Sequence, residues 1–147
     1  MNKTELTANF VLVGGIILII TGLIHICLGT PQLIEAVSQG LIDLQPIAQI
    51  DWESQDLSRE EIELVWIVFG LDITIFGLIT IFLISELKKG RKMAWNISLI
   101  IGCFYLIIGA IAALYFKAIH PADVLFPVAG LTILIPLIIY RKNFELI

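Results

Sequence analysis

Four long apolar runs, separated by short polar clusters, set the pattern along this chain. The second run, from Glu63 to Ser85, reads ELVWIVFGLDITIFGLITIFLIS. About 21 of its residues form an almost wholly apolar stretch, enough to cross a hydrocarbon core of about 30 Å at about 1.5 Å per residue. The same argument applied to the other runs predicts helices over about 9–29, 59–86, 94–116 and 122–140. Between the first two lies the one long polar stretch, 30–58. Its opening, PQLIEAVSQGLI, sets Leu33, Ile34, Val37 and Leu41 on one side and predicts a short amphipathic helix on the membrane or across the end of the bundle. The predicted fold class is all-α. It is an integral membrane bundle of four transmembrane helices in one domain, 1–147, with a short extracytoplasmic amphipathic helix.

Local signals mark the boundaries. Thr30 and Pro31 stop the first helix, and Ser58-Arg59-Glu60-Glu61 is a capping box that opens the second. Gly90, between Lys88-Lys89 and Arg91-Lys92, predicts a tight basic turn. Pro127 and Pro136 predict kinks or local unwinding in the fourth helix.

Small residues recur at helical spacing. At about 100° per residue, Gly15, Leu18, Gly22 and His25 share one narrow face of the first helix, with Thr21 beside it. Ser98, Gly102, Tyr105 and Gly109 share a face of the third. Gly70 and Gly77 repeat the seven-residue spacing in the second. Such stripes let helix backbones approach closely in lipid, so all six glycines are predicted to pack helices. The second and fourth helices each hold V-x-G-L, at Val68–Leu71 and Val128–Leu131, the pattern of two related hairpins.

Composition agrees with the pattern. Charged residues are 15% of the chain against about 25% in a soluble domain, and 59% is hydrophobic, so the bilayer is the first partner. The first run exceeds a signal-peptide core and no A-x-A site follows it, so it reads as a retained helix. Four spans put Lys3, Lys88, Lys89, Arg91, Lys92, Arg141 and Lys142 on one side, seven of the nine basic residues. The positive-inside rule then makes both termini cytoplasmic and 30–58 extracytoplasmic, in a cell-membrane protein. The basic residues form short clusters beside apolar runs, which excludes a nucleic-acid surface. Cys27 and Cys103 form no C-x-x-C pair, which argues against a dithiol site.

Candidate chemistry rests on few residues. Asp72 lies near mid-membrane depth in the second helix, and an ionisable group there normally faces the bundle interior. It reads either as a proton-carrying, ion-coordinating or substrate-binding carboxylate, or as interhelical glue bonded to Thr21, Tyr105 or Thr132. With Asp72 inward, Gly70 and Gly77 point outward and suit an oligomer contact. His25 and His120 come to the same membrane face, with Glu63 at similar depth. Two imidazoles from two helices are a possible haem or divalent-metal site. Nothing else in the sequence implies a cofactor. The four-span layout with a histidine late in the first helix resembles the DoxX-like small membrane proteins in layout alone, and no residue or activity is carried across.

The sequence shows no nucleophile motif, phosphate-binding loop or H-E-x-x-H pattern. The expected function is a non-catalytic membrane subunit, assembly factor or scaffold, packed against copies of itself or another membrane protein. The alternatives are a redox subunit using His25 and His120, and a small transporter or membrane enzyme centred on Asp72.

Overall fold

A computed structural model describes residues 2–29, 59–115 and 121–144, and their side chains except at 29, 59–63, 112–115 and 121–123. The apolar runs fold as helices. Helix α1, Lys3–Ile24, continues into a π-helical turn, His25–Gly29. Helix α2 is Arg59–Phe82 and a short α3, Ile84–Lys88, follows it. Helix α4 is Lys92–Tyr115, α5 is Pro121–Ile139, and a 3₁₀ turn, Arg141–Asn143, closes the order. No strand occurs among the described residues. The predicted amphipathic segment and Ser58 of the capping box lie outside them.

Three stretches, Lys3–Leu28, Leu64–Lys88 and Lys92–Ile111, are long and apolar enough to cross a membrane, and Val124–Ile139 is a shorter apolar helix. Large apolar side chains such as Phe10, Ile16, Phe82, Ile100 and Ile138 are exposed on the outside, the kind of surface that marks a membrane or partner contact. Helix α1 starts at Lys3, ahead of the predicted position 9, because its polar first turn is well capped. The Asn2 backbone N–H donates to Glu5 Oε2 at 3.0 Å, and Glu5 sits at the positive end of the helix dipole. Helix α5 runs on as one helix through Pro127 and Pro136.

The basic turn is a Schellman motif. Gly90 has φ 75°, its N–H donates to the Leu87 carbonyl at 2.9 Å, and the Arg91 N–H donates to the Glu86 carbonyl at 3.0 Å. The Glu86 carboxylate adds ion pairs to Lys89 at 2.5 Å and Arg91 at 3.7 Å. Gly90→Ala puts a Cβ in the left-handed region and is expected to lower stability by about 1–2 kcal/mol in a detergent unfolding titration. No loss would mean that the turn relaxes without cost.

Packing follows the small residues. Helix α1 lies between α2 and α5, α4 packs on α5, and α2 barely meets α4. Between α1 and α2, Gly15 faces Gly77 and Gly22 faces Gly70. A Cβ on Gly22 would stand 2.6 Å from the Gly70 carbonyl oxygen, and one on Gly77 2.8 Å from the Gly15 carbonyl oxygen. The second hairpin uses the same device, with Gly130 against the Gly102 carbonyl. A Cβ on Gly130 would stand 2.8 Å from the Leu106 nitrogen, and Gly109 lies against the Pro127 ring. Two threonine hydroxyls of α2 are satisfied within their own helix: Thr74 donates to the Gly70 carbonyl at 2.9 Å and Thr80 to that of Phe76 at 2.8 Å.

Candidate functional site at the α2–α4 seam

The two glycine pairs decide how α2 is rotated. They turn Gly70, Ile73, Gly77 and Thr80 toward the bundle. At about 100° per residue, Asp72 then falls on the far flank, and it is exposed. This corrects the expectation that Asp72 faces the interior. It equally corrects the expectation that Gly70 and Gly77 face outward as an oligomer contact, since both are buried against α1. The physical reason is that two close backbone approaches require glycine on both sides, whereas a single carboxyl can be accommodated at the edge.

The predicted glue bonds to Asp72 are not made. Thr21 donates to the Ile17 carbonyl at 2.7 Å, and Thr132 to the Val128 carbonyl at 2.7 Å. Asp72 makes no hydrogen bond to a described residue. Its surroundings on α2 are exposed and apolar: Val68, Leu71, Ile75 and Ile79. One turn further on, Phe76 meets Phe104 and Tyr105 of α4 with ring centroids 5.9 and 6.1 Å apart. Asp72 therefore sits at the lip of the α2–α4 seam, within electrostatic reach of Tyr105.

Behind this lip an aromatic column joins the four long helices. His25, first residue of the π-helical turn that continues α1, stacks on Trp66 of α2 at 4.1 Å with an interplanar angle of 23°, and Phe69 meets its edge at 5.2 Å. Phe69 contacts Phe126 of α5 at 6.2 Å, and Phe126 stacks on Tyr105 of α4 at 6.0 Å. Each such pair contributes about 0.5–1.5 kcal/mol beyond burial. His25 is 2% exposed and Tyr105 1%, so both are walled in. The Trp66 Nε1 is buried with no acceptor among the described residues. Sequence reasoning singles out His25 and Tyr105 but not their ring partners. The available signal is the spacing of Trp66 and Phe69, three apart and flanking the Gly70 face.

The remaining candidates are quickly placed. Gly15, Gly22, Gly102 and Gly109 are buried in helix contacts, and Thr21 is buried on α1. Glu63 belongs to α2, with its side chain outside the described residues, and His120 lies wholly outside them. Among the described residues, no three His, Cys, Asp or Glu side chains converge in a metal-binding group. Cys27 and Cys103 are exposed free thiols.

Chemically, the arrangement offers one acceptor-only group, when ionised, on an apolar face, with a hydroxyl-bearing ring nearby. Compared with protein-family models, curated proteins and solved structures, the chain matches none.

Proposed function

We propose that this chain is a non-catalytic component of a membrane assembly. In this reading it spans the cell membrane four times, with both termini cytoplasmic, and presents α2 to a helix of another membrane protein. The observation that carries the reading is Asp72, exposed in the middle of an apolar helix among Val68, Leu71, Ile75 and Ile79. An ionised carboxylate at the bilayer centre costs about 2.5–3.5 kcal/mol on insertion scales, and pairing with a cation recovers part of that.

Charge complementarity identifies the partner. It is a transmembrane helix with a basic side chain near mid-depth. A second copy does not supply one, because the apolar runs 9–29, 64–85, 94–116 and 124–139 contain no Lys or Arg. Self-association through this face would set Asp72 against another carboxyl.

The test uses the labelled full chain in phosphatidylcholine vesicles with synthetic Leu-Ala helices, one with a central Lys and one with Leu in its place. Energy transfer should show the Lys helix bound at least about tenfold more tightly, with the preference lost in Asp72→Leu. The variant itself should stay within about 1 kcal/mol of the parent stability, because Asp72 lies on the surface. Equal binding of the two helices to the parent chain would overturn the proposal. So would self-association that Asp72→Leu abolishes, since the occupant would then be a second copy.

A further inference from the structure

Behind Asp72, the α2–α4 seam ends on the phenol of Tyr105. This residue is 1% exposed, and three rings enclose it: Phe76 of α2 at 6.1 Å, Phe104 of α4 at 5.3 Å and Phe126 of α5 at 6.0 Å. Its hydroxyl makes no hydrogen bond to a described residue. Sealed hydroxyls without a partner occur at Thr4 and Ser98 but not at Tyr105, whose oxygen therefore still meets the surface. A phenol oxygen both donates and accepts, and leaving it unbonded in an apolar setting is unfavourable.

Placement ties this hydroxyl to Asp72. Phe76, which meets the Tyr105 ring, lies one turn beyond Asp72 on the same flank of α2. The Asp72 carboxyl is within electrostatic reach of the phenol. No other charge competes, because Asp72 is the only charged residue from Leu64 to Ser85 and none occurs from Ala94 to Tyr115. The hydroxyls of Thr74, Thr80 and Thr132 are already bonded within their own helices.

An ammonium suits this pair of oxygens. It carries three N–H donors and no acceptor, and a carboxylate and a phenol oxygen can take two of them. The four-carbon stem of a lysine lies along apolar surface while its head reaches a polar group. The rings of Phe76 and Phe104 offer faces on which a cation is attracted. A guanidinium would instead deliver its planar fork to the carboxylate alone.

Resting on the reading that Asp72 meets a basic side chain of a partner helix, we propose that Tyr105 selects which one. It is a lysine, whose ammonium donates to both the Asp72 carboxylate and the Tyr105 oxygen across the seam. The partner helix then lies over the α2–α4 edge, and Tyr105 is the residue that sets its specificity.

The test titrates the labelled full chain in phosphatidylcholine vesicles with three Leu-Ala helices, bearing a central Lys, trimethyl-Lys or Leu. Trimethyl-lysine keeps the charge and loses every N–H donor. The parent should bind the Lys helix about three- to tenfold more tightly than the trimethyl-Lys helix. Tyr105→Phe keeps the ring and should unfold at the parent's midpoint in SDS. It should weaken Lys binding about threefold, leave trimethyl-Lys binding unchanged, and so narrow the gap. Phe126→Leu loosens the ring column but keeps the hydroxyl, and should leave the gap as it is. Equal losses in these two variants would assign the effect to packing and overturn the proposal. Equal binding of Lys and trimethyl-Lys by the parent would also overturn it. Unchanged Lys binding in Tyr105→Phe, with the Lys preference still lost in Asp72→Leu, would overturn the role of Tyr105 and leave the Asp72 reading intact. Equal binding of the Lys and Leu helices by the parent would overturn both.

Discussion

Gly22→Val combined with Gly77→Val is expected to separate α1 from α2. The two glycines belong to different contacts, Gly22 with Gly70 and Gly77 with Gly15. At Gly22 a Cβ meets backbone, 2.6 Å from the Gly70 carbonyl oxygen and 2.8 Å from the Thr74 nitrogen. At Gly77 it meets the Gly15 carbonyl oxygen at 2.8 Å and the Ile19 nitrogen at 2.9 Å. Neither neighbour can rotate away as the end of a flexible side chain could. Overpacking of this kind costs about 1–3 kcal/mol per site. Seven helical residues put the two contacts about 10 Å apart, so the costs should add to about 2–6 kcal/mol. Unfolding in mixed detergent–SDS micelles measures it. A pair that loses less than about 1 kcal/mol would show that the helices slide apart cheaply. Substitution at Gly77 should thus disturb the monomer first, the opposite of what an outward glycine face implies.

Phe126→Ala should weaken the bundle by roughly 2 kcal/mol, less than the 3–5 kcal/mol typical of a soluble core. Phe126 is 2% exposed and stands between Phe69 and Tyr105 in the aromatic column. In water most of the loss from such a truncation is the transfer of apolar atoms. Lipid is as apolar as this interior, so that part largely vanishes in a membrane. The cavity remains, at about 24 cal/mol per Å³. Phe126→Leu leaves a smaller void and should cost about half as much. The same unfolding titration reads both. A loss of 4 kcal/mol or more for Phe126→Ala, on the order of a soluble core, would mean that water reaches the column when the bundle unfolds.

Helix placement is legible in this sequence because long, apolar helices announce themselves by length and apolarity, and both are local properties. Rotation of each helix about its axis is less so. In α2 two rules compete. One places an ionisable group such as Asp72 inside, and the other places Gly70 and Gly77 against a neighbour. A single sequence gives no weight to either. In the structure the glycines prevail, since each has a partner glycine on α1 at matching spacing. The column is illegible for another reason. Its rings come from four helices, and only Trp66 and Phe69 are close in the chain. A cavity lined by Lys92, Trp95, Arg141 and Phe144 joins residues far apart in sequence. The positive cluster is readable there, while the concavity depends on how Trp95 leans on Leu137.

The uneven stitching of the bundle has a mechanical consequence. Both hairpins are closed backbone to backbone by glycines, and α1 and α5 are joined along a third contact, where Gly14 lies against Ile133. The fourth edge, α2 to α4, is held by the rings of Phe76, Phe104 and Tyr105. Parting that edge loses ring contacts of about 0.5–1.5 kcal/mol each and leaves the glycine contacts intact. The bundle is therefore built like a book, with α1 and α5 as its spine. Its least stitched edge is the one between the covers, and Asp72 of α2 lies on the cover that forms one side of it.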